Sequence, residues 1–445
     1  MTNDSSTPSV KPLFDGSKPD RRHWLLAISA GMASYLDAAI IVSLGVGLVL
    51  IEEHFGLSKW EVGALSSCLT FAIAFGALFG GRIADRLGRM RVFTAYILIY
   101  AVGMALMALA PSEPLLFAGV IIAGAAAGAD LPTSVAVVSE RAPARAQGRL
   151  VTVTQVMWAS GIPITQGLAF LLADAGMTGI RIIFGQLAVL AVITWAFRRF
   201  HPWLRSLEDD VAQARAASTT PATVAAEPAP MRLRAVLAKR VFLVPTLLTM
   251  LFYIFWGLVA NTFGQFQTYF LVNAGGASQS FATGFGALLT LLGLAVMIIF
   301  VRLVDTRWRN LVFVIGGLLQ AVSMMIAGVG NGVLLIYVLA IAVFNVGSNL
   351  SGEANYKVWT QESLPINVRA SVQGFTYAVG RFVFGLFALV TPTLLATNRD
   401  GLLWLLVAFS LAALVVGVVT FRFLNARGLR PGRAHEEPAA VVGTD

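Results

Sequence analysis

The sequence predicts an all-α membrane protein with twelve transmembrane helices in two six-helix, pseudo-symmetric bundles. Three observations carry that expectation. The chain of 445 residues is 57% hydrophobic and only 12% charged, where soluble domains carry about 25% charged residues. Apolar stretches of about 20 residues, the length that crosses a hydrocarbon core, occur twelve times. A polar stretch over 201–240 then divides the chain into two halves whose short motifs repeat.

The first apolar run, 24–51, is too long for the apolar region of a secretory signal and reads as a membrane span. The others fall near 60–81, 91–110, 114–139, 149–174 and 181–199, then 241–272, 281–301, 310–329, 332–360, 370–395 and 401–423. Basic residues orient them. One side receives Lys18, Arg21, Arg22, the turn over 82–91, Arg141, Arg145, Arg149, Arg198 to Lys239, Arg302 to Arg309, Arg369 and Arg422 to Arg433. The other has Lys59 beside Glu52, Glu53 and Glu61, then Arg181 and Arg399. Positive charge accumulates on the cytoplasmic side, so the tails 1–23 and 425–445 are both expected there, flanking bundles at 24–200 and 241–424. The linker contains Leu207-Glu208-Asp209-Asp210 and then an Ala/Thr/Pro-rich run from Ala214 to Pro230, a composition for a part that is surface helix and a part that is disordered.

Composition also excludes. The net charge of +9 is dispersed over short loops rather than gathered on one face, so lipid headgroups and not nucleic acid are the expected partners. Cys68 is the single cysteine, and His23, His54, His201 and His435 all lie outside the spans. No metal-ligand cluster, phosphate-cradling loop or nucleophilic triad is recognisable. Neither enzymatic activity nor ATP hydrolysis is expected, and no cofactor beyond protons as a coupling ion. The preference for arginine over lysine and the many alanines suggest a bacterial source.

Residues 81–91 read Gly81-Arg-Ile-Ala-Asp85-Arg86-Leu-Gly88-Arg89-Met-Arg. The charges require water or headgroups, while Gly81 suits a closely packed helix end and Gly88 a tight turn. A weakened echo follows at Asp305-x-x-x-Arg309, and Glu140-x-x-Pro143 recurs as Glu362-x-x-Pro365 at nearly the same offset, as a duplication would leave it. The Gly-x-x-x-Asp-Arg-x-Gly-Arg order resembles the loop between helices 2 and 3 of the major facilitator superfamily. Glu140 with Arg145 or Arg149, and Glu362 with Arg369, are similar to the latch of its sugar porters, although Gln147 stands where that family has arginine. Ser34-Tyr-Leu-Asp37, Gly128-Ala-Asp130-Leu-Pro132 and Tyr356-Lys-Val-Trp359-Thr-Gln-Glu362 resemble bacterial inositol transporters. The resemblance implies parallel six-helix repeats, a midplane substrate site, and gating by Gly81, Asp85, Arg86, Gly88, Arg89, Glu140, Arg149, Asp305, Arg309, Glu362 and Arg369.

A charge at the bilayer centre costs about 2.5–3.5 kcal/mol on insertion scales and should face a wet interior. Asp37, Asp130 and Glu353 are the proton-coupling candidates, the alternative for each being a structural buried acid. The sugar symporters place a partner arginine early in helix 4, where Val120 is surrounded by apolar residues, so Arg381 is the expected replacement. Hydroxyl-rich substrates need neutral hydrogen-bond partners and an apolar ring face. Gln155 and Trp158 in span 5, Asn261 and Gln265 in span 7, and Asn349, Tyr356 and Trp359 in span 10 are the substrate-binding candidates, with Arg381. The expectation is a proton-coupled importer of a cyclic polyol or sugar, myo-inositol favoured, functional as a monomer in the bacterial inner membrane. The alternative is an aromatic-acid or other organic-anion symporter. A non-transporting nutrient sensor would want a longer signalling tail than the stretch after Leu424.

Overall fold

The computed structural model describes residues 19–143, 146–204, 206, 238–330, 332–364 and 366–428. Most of the linker, Arg145 and the side chains of Asp85 and Glu140 lie outside the described residues. The elements are α1 Arg21–Phe55, α2 Lys59–Leu87, α3 Arg89–Leu109, α4 Glu113–Arg141, α5 Gln147–Leu171 and α6 Met177–Phe200. They continue as α7 Arg240–Asn273, α8 Gln279–Leu303, α9 Arg309–Gly328, α10 Leu334–Leu350, α11 Glu353–Ser363, α12 Ile366–Thr397 and α13 Arg399–Ala426. Among the described residues, eleven crossings are long and apolar enough to span a membrane, α10 and α11 counting as one. The twelfth is α5, whose apolar character is diluted by Thr152, Thr154, Gln155, Thr165 and Gln166.

Local chemistry sets the ends. Asp20 caps α1 by accepting from the Arg22 and His23 amides. Ser58 and Glu61 form a reciprocal capping box on α2. Helices α4 and α11 stop just before Pro143 and Pro365, whose rings exclude helical geometry from the preceding residue. Two expectations are corrected. The connection expected over 82–91 is helical: α2 continues through Gly81 to Leu87, and the chain reverses at Gly88 alone, with φ +93°. A helix keeps its backbone bonded as it leaves the hydrocarbon, so the arginines ride on helix ends and Gly81 lies inside α2 with open space beside it. The span expected as continuous over 332–360 is broken at Ser351–Gly352.

Helices α1–α6 pack together, as do α7–α13, and the two groups meet through α1 with α7, α2 with α12 and α5 with α8. Lipid is as apolar as leucine, so close approach of small residues drives such packing. A side chain at Gly45 would strike the Gln265 carbonyl, and one at Gly63 the Leu389 backbone. Hydrogen bonds follow the same seam. Gln265 Nε2 donates to Thr70 Oγ1 at 2.9 Å, Thr290 Oγ1 to Gln166 Oε1 at 2.7 Å and Ser67 Oγ to the Gly385 carbonyl at 2.6 Å. Lys59 Nζ and Tyr269 OH both donate to Glu52, clasping α2, α7 and α1 together. These inter-bundle hydrogen bonds lie in the half of the molecule away from the Gly88 turn. The bundles are therefore joined on that face.

Candidate functional site

Between the bundles, α1, α5, α7, α8 and α10 enclose a cavity of about 300 Å³, at the lower end of the range for small-molecule sites. Most of its wall is apolar, and five carboxamides are set into it. Gln166 comes from α5, Gln265 and Gln267 from α7, and Asn345 and Asn349 from α10, joined by the hydroxyls of Thr268, Thr290 and Ser348. Trp158, Phe263 and Phe344 supply apolar faces. Each carboxamide offers donors and an acceptor without a charge. Two are not fully used internally: Gln265 Oε1 and Gln267 Nε2 are buried with no partner among the described residues. A buried polar atom left unpaired is costly, and each of these two keeps bonding capacity that no described residue takes up. Gly293 provides the clearance that Asn345 and Asn349 need, since a side chain there would crowd both amides.

Of the residues expected to bind substrate, Trp158, Gln265 and Asn349 line the cavity. Gln155 shares their face of α5 one turn toward the basic side and is exposed. Asn261 stands behind Gln265 and accepts from its Nε2 at 3.0 Å. Tyr356 and Trp359 are corrected: both are fully buried in the second bundle. Trp359 packs edge-on against Phe252 and Phe313, with ring centroids 5.0 Å away in each case. The break at Ser351–Gly352 resets the helical face, so a stripe drawn from Asn349 through Glu353 to Tyr356 does not exist.

Asp37 sits mid-helix in α1, 1% exposed. Trp158 Nε1 donates to its Oδ2 at 3.2 Å, while Oδ1 has no partner among the described residues. Arg381 of α12 acts on this carboxylate electrostatically from the other bundle. Glu353 opens α11 at the break, accepts from Tyr377 OH at 2.9 Å and pairs with Lys357 at 3.1 Å. Asp130 is elsewhere. It forms a 2.9 Å ion pair with Arg198 of α6, with both side chains buried inside the first bundle. Arg198 also donates to the carbonyls of Phe93 and Ser29 and stacks 3.7 Å over the Phe93 ring. Asp130 therefore fastens α1, α3, α4 and α6 together.

Around the basic face, Arg309 pairs in bidentate fashion with Glu362, at 2.6 and 3.0 Å. Arg369 Nε donates to the Leu364 carbonyl at 2.7 Å. Asp305, Arg86 and Arg149 are exposed. Sequence reasoning missed Gln166, Gln267, Thr290, Asn345 and Ser348. The signals were present: Asn345 precedes Asn349 by one helical turn, and Gln166 repeats the face of Gln155 along the one crossing poor in apolar residues.

Two helix bundles with a cavity between them and hydrogen-bonded contact on one face define the architecture of a membrane carrier. The chain matches the profile of the Major Facilitator Superfamily over residues 24–389, and it belongs to that superfamily. It is 32% identical over 400 residues to the minor myo-inositol transporter IolF of Bacillus subtilis (strain 168), covering 88% of this chain and 87% of that protein. The niacin transporter NiaP of Acinetobacter baylyi is 32% identical over 139 residues, 31% of this chain and 32% of its own. Among solved structures, a D-xylose-proton symporter superposes with a TM-score of 0.70 at 17% identity, covering 90% of this chain and 97% of that one. The protein is thus a multi-pass secondary transporter of small molecules and not an enzyme.

Proposed function

We propose that this transporter is a proton-coupled importer of a cyclic polyol or sugar, with myo-inositol the favoured substrate. One observation carries the substrate class: the polar groups set into a largely apolar cavity wall are carboxamides and hydroxyls, with aromatic faces beside them and no charged side chain among the lining residues. Such a wall satisfies the alternating donors and acceptors of a ring of hydroxyls and leaves the ring's apolar face to Trp158, Phe263 or Phe344. The similarity to a myo-inositol transporter over most of both chains supports the same reading. Asp37 carries the proton and Arg381 is its counter-charge, with Glu353 a second acid on the opposite bundle. The basic face is the cytoplasmic face of a bacterial inner membrane, and the conformation described is inward-facing. When that face closes, Asp85, Glu140 and the arginines of one bundle meet the helix ends carrying Asp305, Arg309, Glu362 and Arg369. The monomer suffices for this cycle.

Purified protein in proteoliposomes should accumulate labelled myo-inositol under an inwardly directed proton gradient, and collapsing the gradient should abolish accumulation. A second reading is favoured by Arg381: a cation in the membrane interior suits a carboxylate substrate, and niacin, carried by one relative, is an aromatic acid. Accumulation of benzoate or nicotinate in place of inositol would establish that reading and remove the first.

A further inference from the structure

Trp158 belongs to two structures at once. Its indole forms part of the cavity wall, and its Nε1–H supplies the one hydrogen bond made to the Asp37 carboxylate among the described residues. The rest of Asp37's surroundings offer no substitute. Its Oδ1 is buried without a partner. Tyr100 of α3, which feels the Asp37 charge, spends its hydroxyl proton on the Leu36 carbonyl at 2.9 Å. Tyr35, also on α1, is an ionisable neighbour of Tyr100, and Arg381 of α12 acts on Asp37 from the other bundle. Asp37 lies behind the cavity wall rather than on it, so a ligand in the cavity reaches the acid through the indole.

We propose that Trp158 is the positioning residue that couples cavity occupancy to the protonation of Asp37. The inference rests on the reading of Asp37 as the proton carrier and extends it. A donor aimed at a carboxylate favours the charged form, and withdrawing that donor favours the protonated form. With the cavity empty, the indole N–H holds Asp37 as the anion. A polyol ring stacking on the indole, or hydrogen-bonding beside it, tilts the ring and withdraws the N–H, and a proton takes its place on the carboxyl. Linkage makes this reciprocal: protonation of Asp37 frees the indole to adopt the pose the substrate prefers. Substrate and proton therefore load together and leave together. Because Trp158 is the tie, removing its N–H while keeping its ring should separate the two ligands without emptying the site.

The test compares wild type, Trp158→Phe, Asp37→Asn and the double variant in proteoliposomes, with myo-inositol as the probe. Two readouts are taken from each preparation: counterflow, which needs only binding and exchange, and accumulation driven by an imposed pH gradient. Trp158→Phe should lower counterflow by no more than about threefold, the ring face being kept, while gradient-driven accumulation falls about tenfold or more, the scale of one lost hydrogen bond to a charged group. Its counterflow should also lose the pH dependence seen in wild type. In the Asp37→Asn background, where accumulation is already lost, Trp158→Phe should leave the pH profile of counterflow unchanged, because the two residues act as one unit; a further change in that profile overturns the proposal. Trp158→His keeps a ring N–H and should restore coupling at least in part; it also serves if the phenylalanine variant does not insert. Equal loss of counterflow and accumulation in Trp158→Phe, or coupling retained at the wild-type level, overturns the proposal while leaving the importer reading intact. A wild type that accumulates no myo-inositol under a gradient overturns the importer reading, and the coupling role of Trp158 falls with it.

Discussion

Where α2 crosses α12, the two bundles touch backbone to backbone at Gly63, which makes this the most direct place to test which surfaces close. An alanine β-carbon at that position would lie 2.8 Å from the Leu389 carbonyl carbon and closer still to its oxygen. Carbon atoms pack favourably at about 3.5–4.0 Å, and a helix carbonyl cannot rotate away as a side-chain end can. Relief requires the bundles to part on this face. Overpacking of this kind costs about 1–3 kcal/mol, and the opposite conformation, in which this seam is open, does not incur that cost. Gly63→Ala should therefore shift the equilibrium toward that conformation by about 5- to 150-fold. The assay is a distance measurement between spin labels on introduced cysteines at Pro111 and Thr397, exposed on the joined face of the two bundles, in a Cys68→Ser background. The distribution should move to longer distances, and uptake should slow because one half-cycle is disfavoured. Unchanged distances together with wild-type uptake would mean that α2 and α12 do not form the closing seam.

Three further outcomes are expected. Asp37→Asn mimics the permanently loaded acid, so counterflow should survive while pH-driven accumulation vanishes; accumulation that persists would move the proton site to Glu353. Asp130→Asn leaves the buried Arg198 charge uncompensated, a loss of about 3–5 kcal/mol, and should lower the melting temperature in detergent and the purified yield. Replacing both partners, Asp130→Leu with Arg198→Met, should recover stability. An Asp130→Asn variant of normal stability that fails only in proton coupling would return that acid to the transport cycle. Gln155→Ala should raise the apparent substrate constant by about tenfold, through one lost hydrogen bond to a hydroxyl, worth about 1–3 kcal/mol when its partner is left unsatisfied; an unchanged constant in uptake assays would make Gln155 a bystander of the open vestibule.

The membrane class, the twelve crossings and the two-bundle plan were legible because the bilayer penalises every charge and every unbonded amide locally, residue by residue along the chain. The acid in α1 and the polar face of α5 were legible for the same reason, each standing out against apolar neighbours. Pairings between distant helices were not. Nothing near Asp130 announces Arg198 as its partner, because the two meet only when α4 and α6 pack, and that encounter turns a candidate proton carrier into a fastening of the first bundle. The break at Ser351–Gly352 had a similar effect on Tyr356 and Trp359: a continuous helix would have carried them onto the cavity face, and the interruption rotates them into an aromatic core. Helical periodicity predicts a face only while the helix persists, and which polar groups meet across a gap depends on how the bundles dock. That is why Trp158 could be read from the sequence as a cavity aromatic, whereas its hydrogen bond to Asp37, made between α5 and α1, belongs to the tertiary structure alone.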